Sequence, residues 1–223
     1  MTAARAARPI RPFHSVLVPT DFTEGSNAAI DRALQLPLAH GACIEILHVL
    51  PESIPAKARA KVEARAREAL AEAVTRACST MRGDLVVTSE LVRGEGYVGI
   101  IRHARRIGAE LIVIGRHGRR PVRDLFLGAT AARVVRMGDA PVLVVKAGVA
   151  TPYRRPVVAT DLGDTSRHTL ELGLRIVGNR ATVRVVHAFH VPFESFLAPT
   201  RAALGEVRRP YREKALAQLA ALV

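Results

Sequence analysis

The chain contains no tryptophan and only three tyrosines and six phenylalanines in 223 residues. Its core must therefore be aliphatic, and it has few aromatic platforms on which bases could stack, which counts against recognition of single-stranded nucleic acid. It has two cysteines, Cys43 and Cys78, and neither lies in a CxxC pair. That excludes a disulfide framework, and both read as small core residues. No apolar run approaches the roughly 18 residues needed to span a bilayer. The N-terminal "MTAARAARPIRPF" is basic but lacks the apolar stretch of a secretory signal, so the expected location is the cytoplasm. The lysine-bearing phosphate loop of P-loop enzymes is missing. So are paired carboxylates, a nucleophile beside a base, and a metal-ligand cluster. A binding protein is expected, not an enzyme.

Hydrophobic residues make up 49% of the chain, enough for a sizeable core in one large or two modest domains. The formal charge is +13, carried mostly by arginine. Such a balance suits an anionic partner, whether nucleotide, nucleic acid or membrane surface, but it also fits an arginine-rich composition with no bearing on fold.

Short aliphatic runs alternate with helical patterns. "HSVLVPTD" (14 to 21) reads as a strand closed by Pro19, followed by a helix from the "TEGSN" cluster to about His40. "CIEILHVL" (43 to 50) is the second strand, and a helix follows the two prolines and runs to about Arg82, before Gly83. Then come a strand at 84 to 92, a helix at 96 to 107, a strand at 109 to 115, a helix at 129 to 137 and a strand at 140 to 146. Strict alternation with near-continuous aliphatic strands indicates an α/β fold, an open parallel five-stranded sheet with helices on both faces. Ligands of such sheets bind beyond the carboxyl ends of the strands, where Asp21, Val49 and Gly115 fall.

The chain also repeats itself. "VLVPTDFTEGSNAAIDRAL" (16 to 34) matches "PVVATDLGDTSRHTLELGL" (156 to 174), with Thr20, Asp21 and Ser26 falling on Thr160, Asp161 and Ser166. Downstream, His48 falls on His187. This is duplication, and the second copy reads as only two strands and two helices. The expected organisation is a complete domain over 1–147, a linker over 148–154 and a partial second domain over 155–223. The partial copy leaves an apolar face and a sheet edge that something else must cover.

The stretch richest in chemistry is "GRHGRRPVRDLFLGAT" (115 to 130), which joins a buried strand to a helix start. Glycines let backbone N–H groups approach an anion, a helix N-terminus offers unpaired donors, and arginines add charge. A second glycine pattern, "GEGYVG" at Gly94, Gly96 and Gly99, matches a dinucleotide fingerprint in spacing. It follows the third strand, however, and no acidic ribose partner ends the next one, so a tight strand-to-helix turn is preferred. His48 and His187 lie within aliphatic strands and read as satisfied core residues. The run 57 to 72 mixes basic and acidic residues at helical spacing and reads as a solvated helix with i, i+4 pairs. With the loop arginines, that face carries the alternative reading of nucleic-acid binding, which added salt would weaken steeply.

Taken together, "VLVPTD", "LHV" (47 to 49), "AELIVIGRHG", the Gly-x2-Gly-x9-Gly spacing of Gly115, Gly118 and Gly128, and "APVLVVK" resemble the universal stress protein family in its tandem form. The resemblance covers the first domain and implies a fold of the adenine nucleotide alpha hydrolase type that binds ATP, with or without Mg. It implies that Pro19, Thr20 and Asp21 border the nucleoside, that the Val49 backbone meets the adenine edge, and that Ile114 and Gly115 support the ribose and base. Gly118, Gly128, Ala129 and Thr130 would wrap the phosphates through backbone N–H groups. Arg116, His117, Arg119 and Arg123 would add phosphate contacts. A carboxylate such as Asp21 can also hold Mg on phosphates. The chain departs from the family at Ala129, where the pattern has Ser or Thr, and Thr130 on a helix start is expected to point elsewhere. The resemblance also implies a homodimer paired through the fifth strand. A single site per chain follows, since the second copy has no glycine loop.

Overall fold

The computed structural model describes residues 10–81, 83–116, 127–148, 151–178, 182–192 and 201–222. The chain divides into two compact units, one spanning Pro12–Pro152 and the other running from Tyr153 onward together with residues 10 and 11.

In the first unit β1 (Phe13–Pro19), α1 (Glu24–Ala33), β2 (Leu38–Leu50), α2 (Ala56–Thr80) and β3 (Leu85–Arg93) come first. They are followed by α3 (Gly96–Ile107), β4 (Leu111–Gly115), α4 (Ala129–Met137) and β5 (Val142–Val145). The strands form one sheet in the order β3-β2-β1-β4-β5, and every pairing is parallel. The chain winds outward from β1 to β3, then crosses back to β4 on the other side of β1. The crevice at the carboxyl ends of β1 and β4 is thus the switch point at which open α/β sheets take ligands.

The alternation of side chains along each strand divides the core. Leu17, Leu47, Ile112 and Ile114 pack with Ile100 and Ala104 of α3 and Ala131 and Val134 of α4. Val16, Val18, Ile44, Ile46 and Val113, also fully buried, alternate with them and face the side on which α1 and α2 lie. Burying both faces explains why these strands read as continuous apolar runs and not as alternating ones.

One expected element differs. The first helix stops at Ala33, well short of His40, and β2 begins already at Leu38. Pro37 is the cause: proline disfavours helix at the residue before it and cannot donate a helical hydrogen bond. The Pro37 carbonyl instead accepts the Phe13 N–H at 3.0 Å. β2 is therefore 13 residues long and irregular, pairing Leu38 with Phe13 and then Cys43 with Ser15. Gly41 makes the intervening bend, with φ of 69°. On α2, Lys57, Arg59, Lys61, Arg65 and Arg67 are exposed, and Glu63 is engaged by Arg93 Nε of β3 at 2.7 Å.

In the second unit β6 (Val157–Ala159) and β7 (Arg184–Val186) form a two-stranded parallel sheet. Among the described residues two helices accompany it, α5 (Ser166–Val177) and α6 (Arg201–Leu222). A Cβ on Gly173 of α5 would come within 2.7 Å of Val158 Cγ2, so glycine is what lets this helix lie close on β6.

Candidate functional site

Where β1 ends, the backbone makes a compact turn held by its own side chains. Thr20 N–H donates to the Leu47 carbonyl at 2.8 Å, which fixes Thr20 against β2. Its hydroxyl donates to Ser26 Oγ at 3.0 Å and accepts the Phe22 N–H at 3.0 Å, while Ser26 donates to the Thr23 carbonyl at 2.9 Å. Asp21 Oδ1 accepts from the Thr23 amide at 3.2 Å and the Thr23 hydroxyl at 2.6 Å. The turn forces Phe22 into the left-handed region at φ 63°, a conformation that non-glycine residues adopt only where their surroundings hold them. His48 supplies the hold. Its Nδ1 lies 2.7 Å from the Thr20 carbonyl, so this nitrogen carries the proton, and its ring lies 4.5 Å from that of Phe22.

This turn forms one wall of a cavity of about 520 Å³ at the strand ends, a size that suits a small organic ligand. Pro19, Thr20 and Asp21 line that wall. Val49 lines another, and strand parity sets what it presents. The Leu47 carbonyl points to β1 and the Leu50 carbonyl accepts Gly94 N–H on the β3 side. Alternation turns the Val49 N–H and C=O toward β1, past the Pro19–Leu47 pair at which β1 pairing stops. A backbone donor and acceptor thus stand side by side at the cavity wall.

Ile114, Gly115 and Arg116 lie on the β4 side, and Gly128, Ala129 and Thr130 close the cavity from the start of α4. The Arg116 carbonyl accepts the Gly128 N–H at 2.9 Å, so the loop leaves and returns at one point. His117, Gly118, Arg119 and Arg123 lie outside the described residues. Gly128 is the N-cap of α4, with no side-chain cap and no acidic residue in the first turn. The first N–H groups of the helix therefore offer their positive end to the cavity.

Glycine at 115 has a packing role that sequence reasoning did not assign. A Cβ there would lie 2.6 Å from the Gly25 carbonyl oxygen and 3.0 Å from Ser26 N, so Gly115 is what lets the first turn of α1 approach β4. Gly99 plays the same part for α3, since its Cβ would meet Val49 Cγ1 at 2.8 Å.

One expectation is corrected here. His48 is not a core residue: it is half-buried and lines the cavity. "GEGYVG" forms the expected turn between β3 and α3, and its Gly96 also lines the cavity. Thr130 lines the cavity, and its side chain lies toward α3, with Oγ1 and Cγ2 3.9 Å from where a Gly96 Cβ would stand. Ser26 and Ile100 also line the cavity and were not anticipated. The repeat carried the missing signal for two of these residues, because Ser26 and His48 are among the matched positions and both build the strand-end turn.

The second unit rebuilds that turn. Thr160 N–H donates to the Val186 carbonyl at 3.0 Å, and the Thr160 hydroxyl donates to Ser166 Oγ at 2.6 Å and accepts Leu162 N–H at 3.0 Å. His187 Nδ1 lies 2.8 Å from the Thr160 carbonyl, and Leu162 has φ of 64°. Asp161 Oδ1 accepts the Gly163 N–H at 2.9 Å. That bond, with lesser help from its own amide and the Ser166 hydroxyl, holds the Asp161 carboxyl below the usual carboxylate range.

Among the described residues no group of three His, Cys, Asp or Glu side chains could hold a metal ion. No described helix is long and apolar enough to cross a membrane.

Residues 12–146 match the universal stress protein family. The chain is 28% identical over 149 residues to universal stress protein A homolog 1 of Coxiella burnetii, covering 60% of this chain and 96% of that protein. A crystal structure of a universal stress protein in complex with cAMP is 26% identical, with a TM-score of 0.50 over 62% of this chain and all of the other. A universal stress protein of Archaeoglobus fulgidus shares the fold over a longer stretch, 83% of this chain and 82% of its own, with a TM-score of 0.62 at 18% identity.

Proposed function

Because the chain belongs to the universal stress protein family, we propose that its strand-end cavity binds an adenine nucleotide, ATP above all, and that binding rather than turnover is its task. The observation that carries this reading is the pairing, in one cavity, of the Val49 backbone with the uncapped start of α4. An N–H beside a C=O complements the N1 acceptor and N6 donor of adenine and opposes the reversed pattern of guanine. A helix N-terminus without a carboxylate suits phosphate. Both features line a cavity of about 520 Å³. That a relative has been crystallised with cAMP supports an adenine ligand.

A Mg ion would enter with the phosphates, since the magnesium of nucleotide sites keeps its waters and takes few protein ligands; Asp21 is the carboxylate on the cavity wall. The second unit rebuilds the turn, and the proposal concerns the cavity of the first unit. β5 lies at the sheet edge, and pairing there with a second copy would cover its free backbone groups.

Mass spectrometry of nucleotide released from the purified protein by denaturation, with titration calorimetry of ATP, ADP, AMP, cAMP and GTP, tests the reading. Expected are adenine nucleotide bound at about one per chain and weaker binding of GTP. The absence of heat with every adenine nucleotide at millimolar concentration would refute it, and duplex DNA binding in its place would favour the basic face of α2.

A further inference from the structure

Beside the cavity, outside the residues that line it, stands an ion pair that neither the strand-end turn nor the glycine loop accounts for. α3 and α4 start side by side there, with Thr130 Oγ1 and Cγ2 both 3.9 Å from where a Gly96 Cβ would stand. Arg133 of α4 bridges the two. Its Nη1 donates to Glu95 Oε1 at 2.9 Å, and its guanidinium carbon stands 5.0 Å from the centroid of the Tyr97 ring. Glu95 is the N-cap residue of α3 but makes no side-chain cap bond. Its carboxylate instead stands beside a cavity suited to anions, where Arg133 offsets it.

Arg133 lies four residues after Ala129, on the same helix face, and helical side chains lean toward the N-terminus. Its guanidinium therefore reaches back over the first turn of α4. That is the turn on which Ala129 offers only a methyl group.

Resting on the adenine-nucleotide reading above, we propose that Arg133 sets phosphate-chain length at this cavity: it exchanges Glu95 for the outer phosphates of ADP or ATP and so favours them over AMP. Three properties of the contact fit such an exchange. Both side chains of the pair are more than half exposed, at 56% and 58%, so the pair contributes little and yields readily. A guanidinium binds phosphate oxygens through two parallel hydrogen bonds, which a carboxylate pair in water does not outmatch. The Tyr97 face attracts the cation without demanding one hydrogen-bond geometry, and so keeps Arg133 beside the cavity while its partner changes. A nucleoside seated against Val49 and Thr20 places its first phosphate at Gly128–Thr130. Only a longer chain would extend past Thr130 toward Arg133, which stands outside the lining.

The test is titration calorimetry on the full chain and on Arg133→Met, Arg133→Lys and Glu95→Gln, with ATP, AMP and inorganic tripolyphosphate as ligands. Arg133→Met should weaken ATP and tripolyphosphate by about tenfold, the loss of one charge-assisted contact, and leave AMP within about twofold. Arg133→Lys should fall between, and Glu95→Gln should tighten ATP by removing the competitor. ATP unmoved in Arg133→Met, or ATP and AMP weakened alike, overturns the inference while leaving the adenine reading intact. Tripolyphosphate binding that depends on Arg133, with ATP and AMP silent, sinks the adenine reading and overturns the inference with it, since no adenine nucleotide is then discriminated. If none of the three ligands binds the parent chain, both fall.

Discussion

Replacing Gly115 by alanine tests the close approach of α1 to β4 at this site. The added Cβ would stand 2.6 Å from the Gly25 carbonyl oxygen and 2.7 Å from its carbon, about 0.8 Å short of the 3.4 Å at which ordinary contact begins. Both neighbours are backbone atoms of α1, so no side chain can rotate away. Relief requires shifting either the first turn of α1 or the end of β4. Overpacking of this kind costs about 1–3 kcal/mol, which corresponds to a Tm lower by about 3–10 °C for a chain of this size. Scanning calorimetry measures it. Gly205→Ala is the control, because Gly205 lies within α6, has no positive φ and has nothing within 4 Å of its Cβ position. There alanine should stabilise by about 0.5–1 kcal/mol through helix propensity alone. The Gly115 change should also weaken nucleotide, since Ser26 and Thr20 share their buried hydrogen bond on the α1 side of the cavity. If Gly115→Ala leaves Tm within about 1 °C of the parent, the close approach of α1 to β4 does not exist as described and the reasoning is wrong.

Two further predictions concern single side chains. Ala129→Ser should tighten ATP about tenfold by adding a hydroxyl donor at the phosphate end, measured by calorimetry; unchanged affinity would show that the phosphates do not reach residue 129. The Asp161 carboxyl, held low chiefly by the Gly163 N–H, should titrate below the roughly 3.9 of an unfolded aspartate. A depressed folded pKa means its contribution to stability is present above about pH 3.9 and disappears as pH falls through the folded value. Carboxyl-carbon NMR reads this directly, and a midpoint at or above 3.9 would contradict the turn geometry of the second unit.

The chain's own pattern was enough to specify the α/β fold, the parallel sheet and the strand ends as the place for a ligand. Periodicity and helix boundaries are local, and aliphatic runs buried on both faces leave a direct trace in residue order. The exception, the first helix, turns on a local feature as well: Pro37 follows its end although the apolar pattern continues past it. The placement of Asp21, Val49 and Gly115 around one cavity could be anticipated for the same reason, since in a parallel sheet the strand ends lie along one rim; Pro19 and Thr20 came with the family resemblance.

Tertiary structure decided what those positions mean. His48 looks like a core residue in its strand, and only the end of β1 at Pro19 opens its side of the sheet to the cavity. Gly115 looks like a ligand glycine until α1 is packed against it, and Gly96 looks like part of a turn until α3 is set beside α4. The Arg133–Glu95 pair joins residues 38 positions apart, with nothing in either neighbourhood to announce the other. Hydrogen bonds and close packing depend on which elements the sheet brings together, and that proximity is a property of the folded chain that residue order does not carry locally.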